Sequence, residues 1–112
     1  MLKKNYEFKQ VFEKGKYYGD LYLEGFLYKN KSGKNFLGIG ISNKLAKAVK
    51  RNYLKRLIRE SYNQLEMQIQ DGYSIIFIWN KRTDIENANF NNVFVSMNNI
   101  LKKAKLLKNE NE

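Results

Sequence analysis

The 112-residue sequence contains no cysteine, no histidine and no proline. The lack of cysteine excludes disulfide bonds and thiol nucleophiles. The joint lack of cysteine and histidine also removes the usual zinc ligands and the commonest general base. Long apolar runs are missing too, because the longest one, residues 75–79, is far shorter than the roughly 18 residues of a membrane span. We therefore expect a soluble, untargeted protein of the cytoplasm, with no disulfide partner.

Acidic residues are scarce: 11 Asp and Glu stand against 21 Lys and Arg, which gives a formal net charge of +10. The acids are scattered singly, so no pair is spaced to present two carboxylates to one metal ion or one water. Phosphate-binding loops, nucleotide fingerprints and serine nucleophile motifs are also absent. The sequence thus predicts no catalytic residue and no metal or cofactor bound by the protein alone.

The positive charge indicates a polyanionic partner, with nucleic acid as the leading class. An anionic membrane surface is the alternative, but it requires a basic amphipathic helix with large apolar anchors free to insert. We expect the apolar face of the basic helix of this chain to be buried in the core, where it cannot insert into a membrane. We therefore predict nucleic-acid binding and no membrane partner.

That basic helix lies in residues 42–60, SNKLAKAVKRNYLKRLIRE. Ser42 or Asn43 is placed to cap it, and neither proline nor glycine interrupts the chain from Lys44 until Gly72, so one long helix is predicted. At about 100° per residue, one side gathers apolar and small residues that can be buried: Leu54, Leu57, Ile58, Ser61 and Leu65.

Arginine is concentrated in the same helix, which holds three of the four arginines of the chain. Its basic residues fill an arc of about 140° that carries no acid. A guanidinium matches two phosphate oxygens and stacks on a base, and an asparagine amide can bond a ribose or a base edge. We predict RNA contacts for this arc, with a merely solvated helix face as the alternative: Arg51, Asn52, Lys55, Arg56 and Arg59.

The other elements follow from periodicity and turn signals. A short helix, with Asn5 as a possible cap, ends at Gly15, and an alternating strand spans residues 17–28. The turn at residues 30–34 closes a hairpin to a strand over residues 36–41, whose Gly38 and Gly40 allow either close approach of another surface or a plain bend. A buried strand follows at residues 73–79, and Thr83 or Asp84 caps a last amphipathic helix.

Four aromatic residues stand out on the first helix and the first strand. Their spacing puts Phe26 and Tyr28 on one strand face, opposite an aliphatic face that includes Leu21. The plain interpretation is that these rings fill the core, and the alternative is that they stack on unpaired nucleotides. Both readings apply to Phe8, Phe12, Phe26 and Tyr28.

A family resemblance enters with the motif Arg51-Asn52-x-x-Lys55-Arg56-x-x-Arg59-Glu60, preceded by Ser42-Asn43-Lys44 and Ala48-Val49. It closely resembles the signature of the protein subunit of bacterial ribonuclease P. The opening Leu2-Lys3-Lys4-Asn5-x-x-Phe8-x-x-Val11-Phe12-x-x-Gly15 is similar to that family's first helix. Two departures are Tyr53, where the family usually has a third basic residue, and Ala46, where it has a small glycine-type position.

The resemblance implies an α+β two-layer sandwich of α-β-β-(β)-α-β-α order, with a left-handed β-α-β crossover of the ribosomal protein S5 domain 2-like type. A right-handed crossover is the general expectation for such units. We expect one domain over residues 1–112, with residues 109–112 frayed.

It further implies that the protein binds the catalytic RNA subunit 1:1 through the arc and Lys44, and that the four rings receive the 5′ leader of precursor tRNA. Mg²⁺ would act in the holoenzyme, and the phosphodiester chemistry would belong to the RNA. The alternative left by the residues alone is a stand-alone RNA- or DNA-binding protein associated with ribosomes or the nucleoid.

Overall fold

A computed structural model describes residues 1–108, and the predicted fraying of residues 109–112 lies outside them. Within that part of the chain, the helices and strands follow one another in the predicted α-β-β-(β)-α-β-α order. Two short 3-10 turns, Glu66–Gln68 and Ile85–Asn87, are inserted before β4 and α3. The elements are α1 (Asn5–Lys14), β1 (Lys16–Gly19), β2 (Leu23–Lys29), β3 (Phe36–Gly40), α2 (Ala48–Leu65), β4 (Tyr73–Trp79) and α3 (Phe90–Lys103).

The four strands form one sheet in the order β1-β2-β4-β3. β2 pairs with β1 and β4 in antiparallel fashion, whereas β3 pairs with β4 in parallel. The hairpin predicted between the strand over residues 17–28 and the strand over residues 36–41 is therefore wrong, because β4 lies between β2 and β3. An apolar strand gains most where both of its faces are covered. α2 makes the crossover from β3 to β4, and the left hand expected for it stays a prediction.

The strand predicted over residues 17–28 is two strands joined by a tight turn. Asp20 holds this turn: its backbone N–H donates to the carbonyl of Leu23 at 2.9 Å, and its carboxylate accepts from the Ser96 hydroxyl of α3 at 2.6 Å. Leu21, predicted on the aliphatic face, is 61% exposed in the turn. β1 and β2 then pair with Tyr17 opposite Phe26, which sets the aromatic surface described below.

The main core lies between the sheet and the layer formed by α2 and α3. Alternate strand residues such as Leu27, Ile75 and Phe77 point into it, where they meet Leu54 and Ile100. Each such side chain contributes about 1.5 to 3 kcal/mol by leaving water. This confirms the predicted apolar stripe of α2. Among the helices of residues 1–108, none is long and apolar enough to cross a lipid bilayer.

A second, smaller core lies on the opposite face of the sheet, beneath α1. Its buried members are Leu2, Val11 and Ile76. Gly38 permits this packing, since a β-carbon there would lie 2.9 to 3.0 Å from side-chain atoms of Ile76, Leu2 and Phe8. The close-approach reading of Gly38 is confirmed, and the element that approaches is α1.

The predicted helix starts need correction. α2 begins at Ala48, four residues later than predicted, because Ser42 accepts a bond from the Lys44 amide in a turn that precedes the helix. The last helix begins at Phe90, and its cap is Asn89, whose side chain accepts from the Asn92 amide at 2.8 Å. Asp84 instead caps the 3-10 turn that comes before α3.

Gly38→Ala should lower the free energy of unfolding by about 1 to 3 kcal/mol, because the added methyl overpacks the junction of α1 and the sheet. Gly40→Ala is the matched control on the same strand. Its methyl would lie 2.8 Å from a single side-chain atom, the Cγ2 of Ile78, so we expect a smaller loss, because one side chain has to shift instead of three. Urea unfolding of both variants measures the difference, and equal losses would contradict this account of α1.

Candidate nucleic-acid interface

The predicted basic arc lies along the outer side of α2. Asn52, Arg56 and Arg59 are exposed, and Arg51 and Lys55 are half-buried at its borders. Lys44, predicted at the start of the helix, sits in the preceding turn and is also exposed. The structure thus brings these six side chains to α2 and its entry turn, and their contact with RNA stays a prediction.

Arg51 differs from the other arginines because its guanidinium is already engaged. Its Nη1 donates to the carbonyl of Ala46 at 2.6 Å and to that of Asn43 at 3.3 Å. These bonds tie the turn at residues 42–47 back onto the first turn of α2. Arg51 therefore orders the loop that carries Lys44, and only the remainder of its donors is free for a ligand.

Arg56 presents its guanidinium above an aromatic ring. The guanidinium carbon lies 5.3 Å from the centroid of the Tyr53 ring, a cation–π contact that orients the planar group. Its Nε lies 3.9 Å from a carboxylate oxygen of Glu60, so an acid borders the arc that the sequence predicted to be free of acids. Such an exposed pair is worth little and leaves the guanidinium available to a phosphate.

The second candidate surface is the face of the sheet on which α1 lies. The rings of Phe12 and Phe26 meet edge to face with centroids 4.8 Å apart, and the Tyr17 ring lies 5.2 Å from Phe26 on the other side. Phe12 is 41% exposed and Tyr17 is 53% exposed. Three rings therefore make a strip that runs from α1 to the edge strand β1 and is open to solvent at both ends.

The other two predicted rings, Phe8 and Tyr28, lie on the same face of the sheet. Phe8 packs beside Gly38 and is half-buried in the small core, which favours its interpretation as a core residue. Tyr28 is half-buried as well, and its hydroxyl accepts a long bond of 3.4 Å from the Gln10 side chain. The four predicted rings are thus brought together on one face, where Phe12 is exposed and the other three are half-buried.

Tyr17 is the member of this surface that the sequence analysis missed. Its phenol donates to the Glu24 carboxylate, and this bond raises the pKa of Tyr17 above its usual value. The missing signal was the register of the β1–β2 hairpin, which puts Tyr17 directly opposite Phe26. A single strand over residues 17–28 gave no reason to pair the two rings.

No group of three metal-binding side chains comes together within residues 1–108. The two candidate surfaces consist of cations, amides and rings, the groups that can bind a polyanion with unpaired bases.

Comparison with known proteins decides which polyanion-binding class this is. The family model described as Ribonuclease P matches residues 1–105. The chain belongs to the ribonuclease P protein family. The ribonuclease P protein component of Clostridium kluyveri is 38% identical over 96% of this chain and 96% of its own.

Solved structures of ribonuclease P proteins agree in fold. The Staphylococcus aureus RNase P protein superposes with a TM-score of 0.83 at 30% identity, covering 95% of both chains. A mutant of that protein with defective mRNA degradation activity gives a TM-score of 0.84 at 30% identity, over 95% of this chain and 88% of its own. The ribonuclease P reading of the signature is confirmed, and the stand-alone nucleic-acid-binding protein is no longer needed to explain the charge.

Arg56→Ala should lower the affinity for a ribonuclease P RNA subunit by about 1 to 3 kcal/mol without changing the melting temperature, because Arg56 is exposed and bonds no backbone group. Arg51→Ala should lower both quantities, since it also releases the turn at residues 42–47. Lys105→Ala, in the C-terminal tail, is the control and should cost less. Filter binding over a salt series and thermal melting measure these effects. Equal losses at Arg56 and Lys105 would mean that α2 is only a charged surface.

Proposed function

We propose that this chain binds the RNA subunit of ribonuclease P in a 1:1 complex through α2, and holds the 5′ leader of precursor tRNA on the aromatic face of its sheet. As a ribonuclease P protein it is a subunit of a tRNA-processing endoribonuclease whose catalysis lies in the RNA subunit. The protein's part is to bind and position RNA so that the leader is removed and the mature tRNA 5′ end is made.

The observation that carries the proposal is the strip of rings formed by Phe12, Phe26 and Tyr17. Open ring faces on a sheet offer stacking platforms to successive unpaired bases, each worth about 1 to 3 kcal/mol and largely indifferent to base identity. A leader of variable sequence needs that kind of binding, because hydrogen bonds to base edges would restrict the sequences accepted.

The outer side of α2 supplies a different kind of contact. Arg56 and Arg59 project planar forks that match the phosphate oxygens of a folded RNA, and Asn52 lies beside them with a neutral amide. α1, with its strip of rings, lies on the opposite face of the sheet from α2. We assign the RNA subunit to α2 and the substrate leader to the rings, so both can be held at once.

Metal ions enter this proposal through the RNA. The carboxylates of residues 1–108 do not converge, so the side chains of this chain do not fit a resident Mg²⁺ site. We place the Mg²⁺ of the holoenzyme on RNA and substrate phosphates, where the positive protein lowers the repulsion between the two RNAs. The lack of cysteine agrees with a reducing cytoplasm as the place of action.

The purified protein alone should leave precursor tRNA intact in the presence of Mg²⁺, because it has no histidine, no carboxylate pair and no activated nucleophile. Gel analysis with and without an added ribonuclease P RNA measures this. An mRNA substrate belongs in the same assay, given the mRNA degradation activity named for the Staphylococcus aureus protein. Specific 5′ cleavage by the protein alone would refute the division of labour.

Phe12→Ala and Tyr28→Ala should weaken the holoenzyme's preference for precursor over mature tRNA by about 1 to 3 kcal/mol each, the value of a stacked base. Arg56→Ala should instead weaken assembly with the RNA subunit. The measurement compares affinities for tRNA with and without a leader of several nucleotides, at protein concentrations that saturate the RNA subunit.

Two controls separate stacking from folding. Circular dichroism and thermal melting establish that each ring variant is folded, and Phe8→Ala marks the loss expected from a core ring. Should Phe12→Ala and Tyr28→Ala fold normally and still prefer leader-bearing substrate as strongly as the wild type, the leader assignment is wrong.

A further inference from the structure

A groove of about 420 Å³ opens at the end of the sheet where α1 and α3 both finish. None of the residues predicted from the sequence to bind the RNA subunit lines it, and it lies away from the outer side of α2. Its walls combine the last residue of α1, the neighbouring ends of β1, β2 and β4, and the chain that follows α3: Lys14, Lys16, Tyr18, Leu27, Tyr28, Lys29, Tyr73, Ala104 and Leu106.

The charges of this groove have one sign. Lys14, Lys16 and Lys29 are all exposed, and no acidic residue of the described part of the chain lines the groove. Within residues 1–108 none of the three forms an ion pair, although lysines 9, 50 and 103 do. Lys14 has a structural reason to be there, because a cation in the last turn favours the helix dipole. Lys16 and Lys29 stand on strands, so no helix dipole accounts for them.

The floor and sides of the groove are aromatic and aliphatic. Tyr18 and Tyr73 are half-buried, and their phenol groups make no hydrogen bond to another side chain or to the backbone in the part of the chain that the structure describes. Tyrosine rings with adjoining ammonium groups are the usual lining of sites for single-stranded nucleic acid, where bases stack and phosphates meet cations.

Tyr28 connects this groove to the aromatic face of the sheet. Its ring belongs to the small core beneath α1, two residues along β2 from Phe26, and it also lines the groove. Two residues along a strand span about 6.6 Å, close to the reach of one extended nucleotide. A strand of RNA that leaves the rings of Phe12 and Phe26 therefore passes Tyr28 and enters a basic, aromatic groove.

We infer that this groove binds the distal part of the leader, the unpaired nucleotides beyond those held by the strip of rings. The inference rests on the leader contact proposed above and extends it to a second subsite on the same strand of RNA. Lys16 and Lys29 neutralise phosphates there, and Tyr18 and Tyr73 support the bases. The subsite is selective for single-stranded RNA of sufficient length and indifferent to its sequence.

The test measures how affinity depends on leader length. Holoenzymes reconstituted with wild-type protein or with the double variant Lys16→Gln/Lys29→Gln are titrated with precursor tRNAs that carry no leader, a short leader of a few nucleotides, or a long one. The wild type should gain affinity at each extension. The variant should keep the gain from the short leader and lose the further gain from the long one.

Salt dependence gives a second measurement. Each phosphate contact to a single strand contributes about 0.7 to the slope of log affinity against log salt. The double variant should therefore flatten the slope for the long leader by about 1.4 and leave that for the short leader unchanged. Lys81→Gln/Lys102→Gln removes the same charge from two exposed positions outside the groove, and should change neither the slope difference nor the gain with length.

The outcomes are distinct. If the wild type gains nothing from the long leader, or if the double variant gains as much as the wild type, the groove does not bind distal leader. If the double variant loses the same affinity for all three substrates, the groove contacts the RNA subunit and not the leader, and the inference is overturned. If wild-type holoenzyme shows no preference for any leader, the proposed leader contact itself fails.

Discussion

The two-sided burial of β4 is the constraint on which the rest of the molecule depends. Its odd-numbered residues, such as Ile75 and Phe77, point into the core made with α2 and α3, and Ile76 points into the smaller core beneath α1. A strand with apolar side chains on both faces is best placed at the centre of a sheet, because an edge position leaves one row of its backbone groups in water. That requirement places β2 and β3 on its two sides and gives each helix a face to cover.

Because one strand is buried on both sides, the two candidate RNA surfaces belong to opposite layers. The layer of α2 and α3 closes the main core and turns its cations outward. The thinner layer of α1 leaves part of the sheet uncovered, so that Phe12 and Tyr17 flank Phe26 in the open. The rings at the border of the smaller core therefore pack against it with one side and are accessible to solvent on their other side. This explains why core and binding readings of the same residues were both reasonable.

Sequence reasoning predicted the type and order of the elements, the buried stripe of α2 and the shared face of Phe26 and Tyr28, because each depends on local periodicity. It misplaced the start of α2, where the Ser42 cap signal is real but serves a separate turn that Arg51 holds through the carbonyl of Ala46. The turn at residues 30–34 is real too, since Asn30 accepts bonds from the Ser32 and Gly33 amides.

The strand after that turn nevertheless pairs elsewhere. Whether β3 pairs with β2 or with β4 depends on how the whole sheet is buried. No local sequence pattern carries that information. Tyr17 was missed for the same reason, because its role depends on a cross-strand neighbour. Contacts set by pairing between distant segments are the part of a fold that a single sequence hides most completely.

The place of β4 also governs how this chain can assemble as it is made. β2 and β3 do not pair with each other, because β4 lies between them. While the segment before α2 is being made, each of these two strands therefore lacks its partner β4. Among the strand pairs of residues 1–108, only β1 and β2 form a local hairpin. Pairing over long sequence separations makes folding slower and leaves strand edges open in the meantime. The lysines of these segments repel other copies of the same chain. They therefore oppose pairing between the open strand edges of two chains until β4 is in place.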